Sequence, residues 1–129
     1  MPDRRRCTRV FLEEFEDSCE GLTELGGGSR VQRQAIAKAS ADAFFEQWAK
    51  RTATTDHELA SGRWKYKGIK GDAARKIGLR QIYLHGGRGL LRAAVMVVEN
   101  DQECTMTFIL AYHKRDQDNA IVRACAIVA

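Results

Sequence analysis

The pattern of apolar and polar positions changes character halfway along this chain, and that change sets the elements to expect. From Ser29 to about Arg51, Val31, Ala35, Ala39, Ala43 and Trp48 recur at helical spacing, with Ile36 and Phe44 beside them. Lys38, Asp42, Glu46 and Lys50 fall on the other side, so the spacing predicts one amphipathic helix packing through an alanine-rich stripe. Ser29-Arg30-Val31-Gln32 opens it with a capping-box pattern, serine capping an amide and glutamine reaching back. Before it, residues 7–15 contain a short β-like run, and a turn-rich stretch ends in Gly26-Gly27-Gly28.

Residues 52–62 read as a polar loop, and residues 63–78, with three glycines, as a second loop with a short helical turn around Asp72–Ile77. Three strand-like runs follow at 79–84, 90–98 and 104–112. The short connections His85–Gly89 and Glu99–Glu103 suit an antiparallel meander. The middle run is apolar on both faces apart from Arg92, as a covered central strand would be. An arginine there must be paired or open onto a cleft. Asp116 or Asp118 then caps a final helix whose Ile121, Ala124, Cys125 and Val128 form its docking face. Helices kept apart from a meander indicate an α+β fold: one domain over residues 1–129, with an antiparallel sheet, an N-terminal helix and a C-terminal helix.

Composition narrows the class. With 44% hydrophobic and 29% charged residues the chain is globular, and no run approaches the ~18–20 apolar residues of a membrane span. The basic N-terminus lacks the apolar centre of a secretory signal, since Glu13, Glu14, Glu16 and Asp17 follow, so a cytoplasmic protein is expected. Cys7, Cys19, Cys104 and Cys125 show no C-x-x-C spacing and no nearby histidine, and reduced structural thiols are the expected state. Neither a metal site nor a cofactor is anticipated: the acidic residues cluster at 13–20, and no lysine-serine or lysine-threonine pair follows the triple glycine.

Charge is informative by region. Residues 1–60 carry nine basic against eleven acidic side chains, whereas residues 61–129 carry twelve against six. The excess gathers between Arg63 and Arg92, where Trp64, Tyr66 and Tyr83 are interleaved with the cations. Cations meet phosphates and rings offer stacking surfaces, so nucleic-acid contact is favoured over a merely solvated basic face.

The run Leu79-Arg80-Gln81-Ile82-Tyr83-Leu84, then Gly86-Gly87, Leu91-Arg92-Ala93-Ala94-Val95 and Ile109-Leu110-Ala111-Tyr112-His113-Lys114-Arg115, resembles the C-terminal half of RelE/ParE toxins. It is most similar to their HigB-like branch, with Asn119–Ala124 in the place of the closing helix and Lys65-Tyr66-Lys67-Gly68 in that of a lysine-bearing loop. Two departures stand out. Aligning the family's E-L-R triplet with Gln81-Ile82-Tyr83 replaces its arginine by tyrosine, and the N-terminal portion is longer and more acidic than the usual short helical hairpin.

The resemblance implies a toxin of a type II toxin–antitoxin system with mRNA as substrate, on or off the ribosome, and a cognate antitoxin as partner. Members with RNase activity cleave without a metal: the 2′-hydroxyl attacks the adjacent phosphate and the 5′-oxygen leaves. Within the resembling segment, Arg92 and Arg80 are candidates to stabilise the phosphorane, and His113 to transfer a proton. Lys65, Lys67, Lys114, Arg115, Tyr112 and Trp64 are candidate substrate-binding residues. Adjacent strand residues face opposite ways, so Tyr112 and His113 cannot share a regular strand's cleft face; His113 is preferred, with Tyr112 as core. A gyrase-poisoning ParE-like toxin and a non-catalytic RNA- or DNA-binding module are the alternatives.

Overall fold

A computed structural model describes residues 6–26, 28–49, 67–68, 74, 76–84, 90–99 and 102–129. Strand β1 (Arg6–Phe11) leads into helix α1 (Glu13–Glu20), a 3₁₀ turn at Thr23–Leu25 and helix α2 (Arg30–Ala49). The two-residue β2 (Lys67–Gly68), then β3 (Leu79–Tyr83), β4 (Leu91–Glu99) and β5 (Glu103–His113) follow. A second 3₁₀ turn at Lys114–Asp116 hands β5 to helix α3 (Gln117–Val128). The backbone is helical at Ala74 and Lys76, within the short turn expected there.

The fold is α+β. Strands run in the order β1-β5-β4-β3-β2, and β3, β4 and β5 form the antiparallel meander read from their spacing. The sheet as a whole is mixed, because β1 lies parallel to β5. This differs from the expected all-antiparallel sheet. The short β-like run expected within 7–15 is β1, which ends at Phe11, and the acidic residues after it open α1, where carboxylates suit the positive end of a helix.

The sheet is covered on both faces. Phe15 and Cys19 of α1 and Ala37, Ala41, Phe44 and Trp48 of α2 pack with Leu91, Ala93, Val95 and Phe108 on one side. On the other, Ala120 and Ala124 of α3 pack with Leu79, Ala94, Leu110 and Tyr112. The buried stripe of α2 is therefore offset from the one expected: Ala35, Ala39 and Ala43 are exposed, and Val31 is 73% exposed. Alanines occur at helical spacing on two faces of α2, and the bulk of Phe44 and Trp48 decides which one turns inward. Lys38 and Asp42 then border the core instead of opposing it, pairing with Glu16 of α1 and Arg9 of β1.

One bulge shapes everything downstream. Ala94 pairs with Leu110 and Val95 with Phe108, which leaves Ile109 without an opposite residue. The extra residue shifts alternation along β5, so Cys104, Met106 and Phe108 face α1 and α2 while Leu110 and Tyr112 face α3.

The parallel pairing also sets Cys7 opposite Cys104, with Cα atoms 4.8 Å apart, and a disulfide joins them. This corrects the expectation of reduced thiols for that pair. A contact between residues 97 apart in sequence leaves no spacing signal. Cys19 and Cys125 are free. Among the described residues no helix is long and apolar enough to cross a membrane.

Candidate functional site

Among the described residues, Gln81 and Arg92 are the buried polar side chains of the sheet, on neighbouring central strands. Arg92 is 8% exposed. Its register partners are Tyr83 on β3 and Tyr112 on β5, so one row across the sheet reads Tyr83, Arg92, Tyr112. The guanidinium carbon lies 5.0 Å from the centre of the Tyr83 ring, within cation–π range. Nη1 donates to Oε1 of Gln117, the first residue of α3. The Tyr112 hydroxyl donates to Gln81 Oε1 at 2.7 Å. Burial pushes the Tyr112 phenol well above its ordinary range, against the pull of the nearby Arg92 charge, so at neutral pH it is a proton-bearing donor.

This group can bind an anion at a planar fork of N–H donors, beside an aromatic face. Burying a guanidinium is costly, and the cost is smallest when its donors are used. Gln117 takes one of those donors.

His113 stands elsewhere. With the strand reset at Ile109, Ala111 belongs to the face covered by α1 and α2, and His113, two residues on, shares that side. Its Nδ1 accepts the Arg115 N–H at 3.1 Å, capping the 3₁₀ turn, and its Nε2 lies 3.9 Å from Glu24 Oε1. Arg115 Nη2 meets the same carboxylate oxygen at 3.4 Å. A hydrogen bond from Glu24's own main chain, helped by Arg115 and His113, holds that carboxyl below the usual glutamate range. Next to this trio, a cleft of about 360 Å³ opens between the end of α1 and α3, lined by Ser18, Leu22, Tyr112, His113, Asn119 and Arg123 among others, so Tyr112 and His113 both reach it. Ser18 closes part of the sheet edge there: its Oγ accepts the Ala111 N–H at 2.8 Å and donates to the Phe15 carbonyl at 2.7 Å.

The residues singled out from sequence thus divide. Arg92 and Tyr112 come together. Arg80, half-buried and paired in register with the core residue Val95, lies on the face opposite Arg92. Lys114 and Arg115 are exposed on the turn between β5 and α3. Lys67 sits on β2 with its backbone in register with Gln81. Lys65 and Trp64 lie outside the described residues, as do His57 and His85. Sequence reasoning missed the roles of Gln81 and Gln117. Alternation from Tyr83 would have placed Gln81 on its face, whereas Gln117 becomes a partner only once α3 has docked.

No family model, no curated protein and no solved structure matches this chain.

Proposed function

We propose that this chain is the toxin of a type II toxin–antitoxin module, a cytoplasmic RelE/ParE-like domain that binds messenger RNA and cleaves it without a metal. One observation carries the reading. Arg92, almost wholly buried on a central strand, is set between two tyrosines and against the first residue of α3. A structural role alone would be met more cheaply by an apolar residue. The succession of a strand, two packed helices, a three-stranded meander and a closing alanine-bearing helix supports the same reading.

In this reaction the 2′-hydroxyl attacks the adjacent phosphate, the 5′-oxygen leaves, and Arg92 offsets the charge gathering on the phosphorane. Tyr83 gives a flanking base an aromatic surface. The basic second half of the chain supplies the backbone attraction, and the cognate antitoxin covers the same cations with acidic groups.

A second reading is favoured by the separation of His113 from Arg92 on opposite faces. Among the described residues no histidine lies beside Arg92, and such a domain binds and blocks without cutting, as a gyrase-directed toxin of the same kind or an RNA-binding module would. Controlled expression, growth measurement and mapping of mRNA 5′ ends separate the two. Arrest with new 5′ ends inside reading frames, abolished by Arg92→Ala, is the expected result. Arrest with intact transcripts and DNA-damage signalling selects the gyrase reading, and normal growth sinks the toxin function.

A further inference from the structure

We infer that the Cys7–Cys104 bridge is a reversible redox clamp that locks the edge strand β1 onto β5. Among the described residues strand β1 ends the sheet, with β5 as its neighbour. Cys7 and Phe11 are its two residues packed against the core, and Arg6, Thr8, Arg9 and Val10 are exposed. The two inward anchors hold opposite ends of the strand.

The end near Phe11 is secured without any bridge. Its ring lies 5.3 Å from that of Phe15 and 5.1 Å from that of Phe108, and the Leu12 N–H continues the ladder onto the Phe108 carbonyl. Lys38 and Arg9 lie over the Phe11 ring as well. At the other end the described contacts include backbone bonds, such as Arg6 N–H to Gln102 carbonyl, and an exposed hydroxyl pair, Thr8 with Thr105. Among the described residues of that end, Cys7 is the one packed against the core. The bridge closes a loop spanning 97 residues, and a cross-link of that length constrains the unfolded chain strongly.

The remaining thiols do not compete for this pairing. Cys19 is sealed in the core, where burial pushes its thiol up to about 12, and Cys125 sits on α3 against the other face. Access to the bridge is one-sided: Cys7 is half-buried, while Cys104 is 1% exposed. Exchange therefore begins at Cys7. A glutathione thiolate attacks the Cys7 sulfur, the S–S bond breaks, and Cys104 leaves as a thiolate that takes a proton. A second glutathione thiolate attacks the mixed disulfide, releasing the Cys7 thiol and oxidised glutathione, so two electrons pass from two glutathione molecules to the bridge. Oxidised glutathione closes it by the reverse steps. This inference does not depend on the RNA reading.

The full chain, equilibrated in buffers of varied reduced-to-oxidised glutathione ratio, is alkylated under denaturing conditions, and its melting is followed by circular dichroism. Two alkylated thiols are expected in oxidising buffer and four in reducing buffer, with Tm falling by about 10 °C between them. Amide exchange should speed up at Thr8 and Arg9 on reduction and stay unchanged in β4. Cys7→Ala, at the half-buried position, should match the reduced wild type and lose all redox dependence. Four thiols under oxidised glutathione overturn the clamp. So does a bridge that survives in fully reduced glutathione, or a Cys7→Ala variant whose Tm still follows the redox ratio.

Discussion

Arg92 and Tyr112 stand directly opposite each other in the β4–β5 ladder and share the face covered by α3, because the ladder skips Ile109. The buried cation thus has a neutral, proton-bearing phenol for a neighbour, while the histidine one residue on faces away. The chemistry open to the site follows from that pairing.

If Arg92 is the phosphate ligand, its charge and its fork contribute separately. Arg92→Ala should weaken binding of a single-stranded RNA, measured by fluorescence anisotropy, and lower the salt-dependence slope by about 1. Arg92→Lys should keep the slope and recover only part of the affinity, since an ammonium cannot reproduce a planar two-point contact. His113→Ala should leave RNA affinity unchanged. Full affinity in Arg92→Ala would remove the site.

Tyr112→Phe deletes one hydroxyl and leaves Gln81 Oε1 buried without that donor. Chemical denaturation should show a loss of about 1–3 kcal/mol. Adding Gln81→Leu should recover part of it, because removing both partners costs less than stranding one. Strictly additive losses would show that the bond is not formed in solution.

The offset stripe of α2 is tested by paired substitutions. Ala41→Leu, in the core, should overpack and destabilise by about 1–3 kcal/mol. Ala39→Leu, on the exposed side, should change stability by about 0.5 kcal/mol or less. The reverse order would restore the stripe read from sequence.

Glu24 governs an acid-side effect. Its folded-state carboxyl lies below the unfolded value of about 4.3, so its contribution is full above that pH and is lost as pH falls through the depressed folded value. Thermal melts should show a shallower acid limb in Glu24→Gln than in the wild type, with the two curves parallel above neutrality. The difference is small because the side chain is exposed. Identical acid limbs would show that the Glu24 contacts to His113 and Arg115 contribute nothing.

The strands of the meander were legible because each is a short apolar run between turn residues, and β4 was recognisable as central from its apolar character on both faces. Arg92 stood out for the same reason, as the exception in that run. Less legible was anything decided at long range. Strand β1 and its parallel partner are separated by most of the chain, so neither the mixed sheet nor the Cys7–Cys104 pair left a local signal. Helix α1 is eight residues long and follows directly on a strand, and its acidic first turn was the one clue available. The preference for His113 over Tyr112 assumed a regular strand, and a bulge leaves no mark on an apolar run such as Phe108-Ile109-Leu110.

The bulge at Ile109 makes the identity of the site a matter of register. Ile109 is the residue left over, so a chain without it would keep Leu110 opposite Ala94 and Tyr112 opposite Arg92 in a regular strand. Taking Ile109 into the ladder opposite Ala94 would instead slip every later partner by one, setting Ala111 opposite Arg92 and Tyr112 opposite Leu91. Tyr112 would then turn beneath α1, and His113 would come to the side of Arg92. One sequence thus holds a phenol or an imidazole beside its buried arginine according to whether the strand bulges.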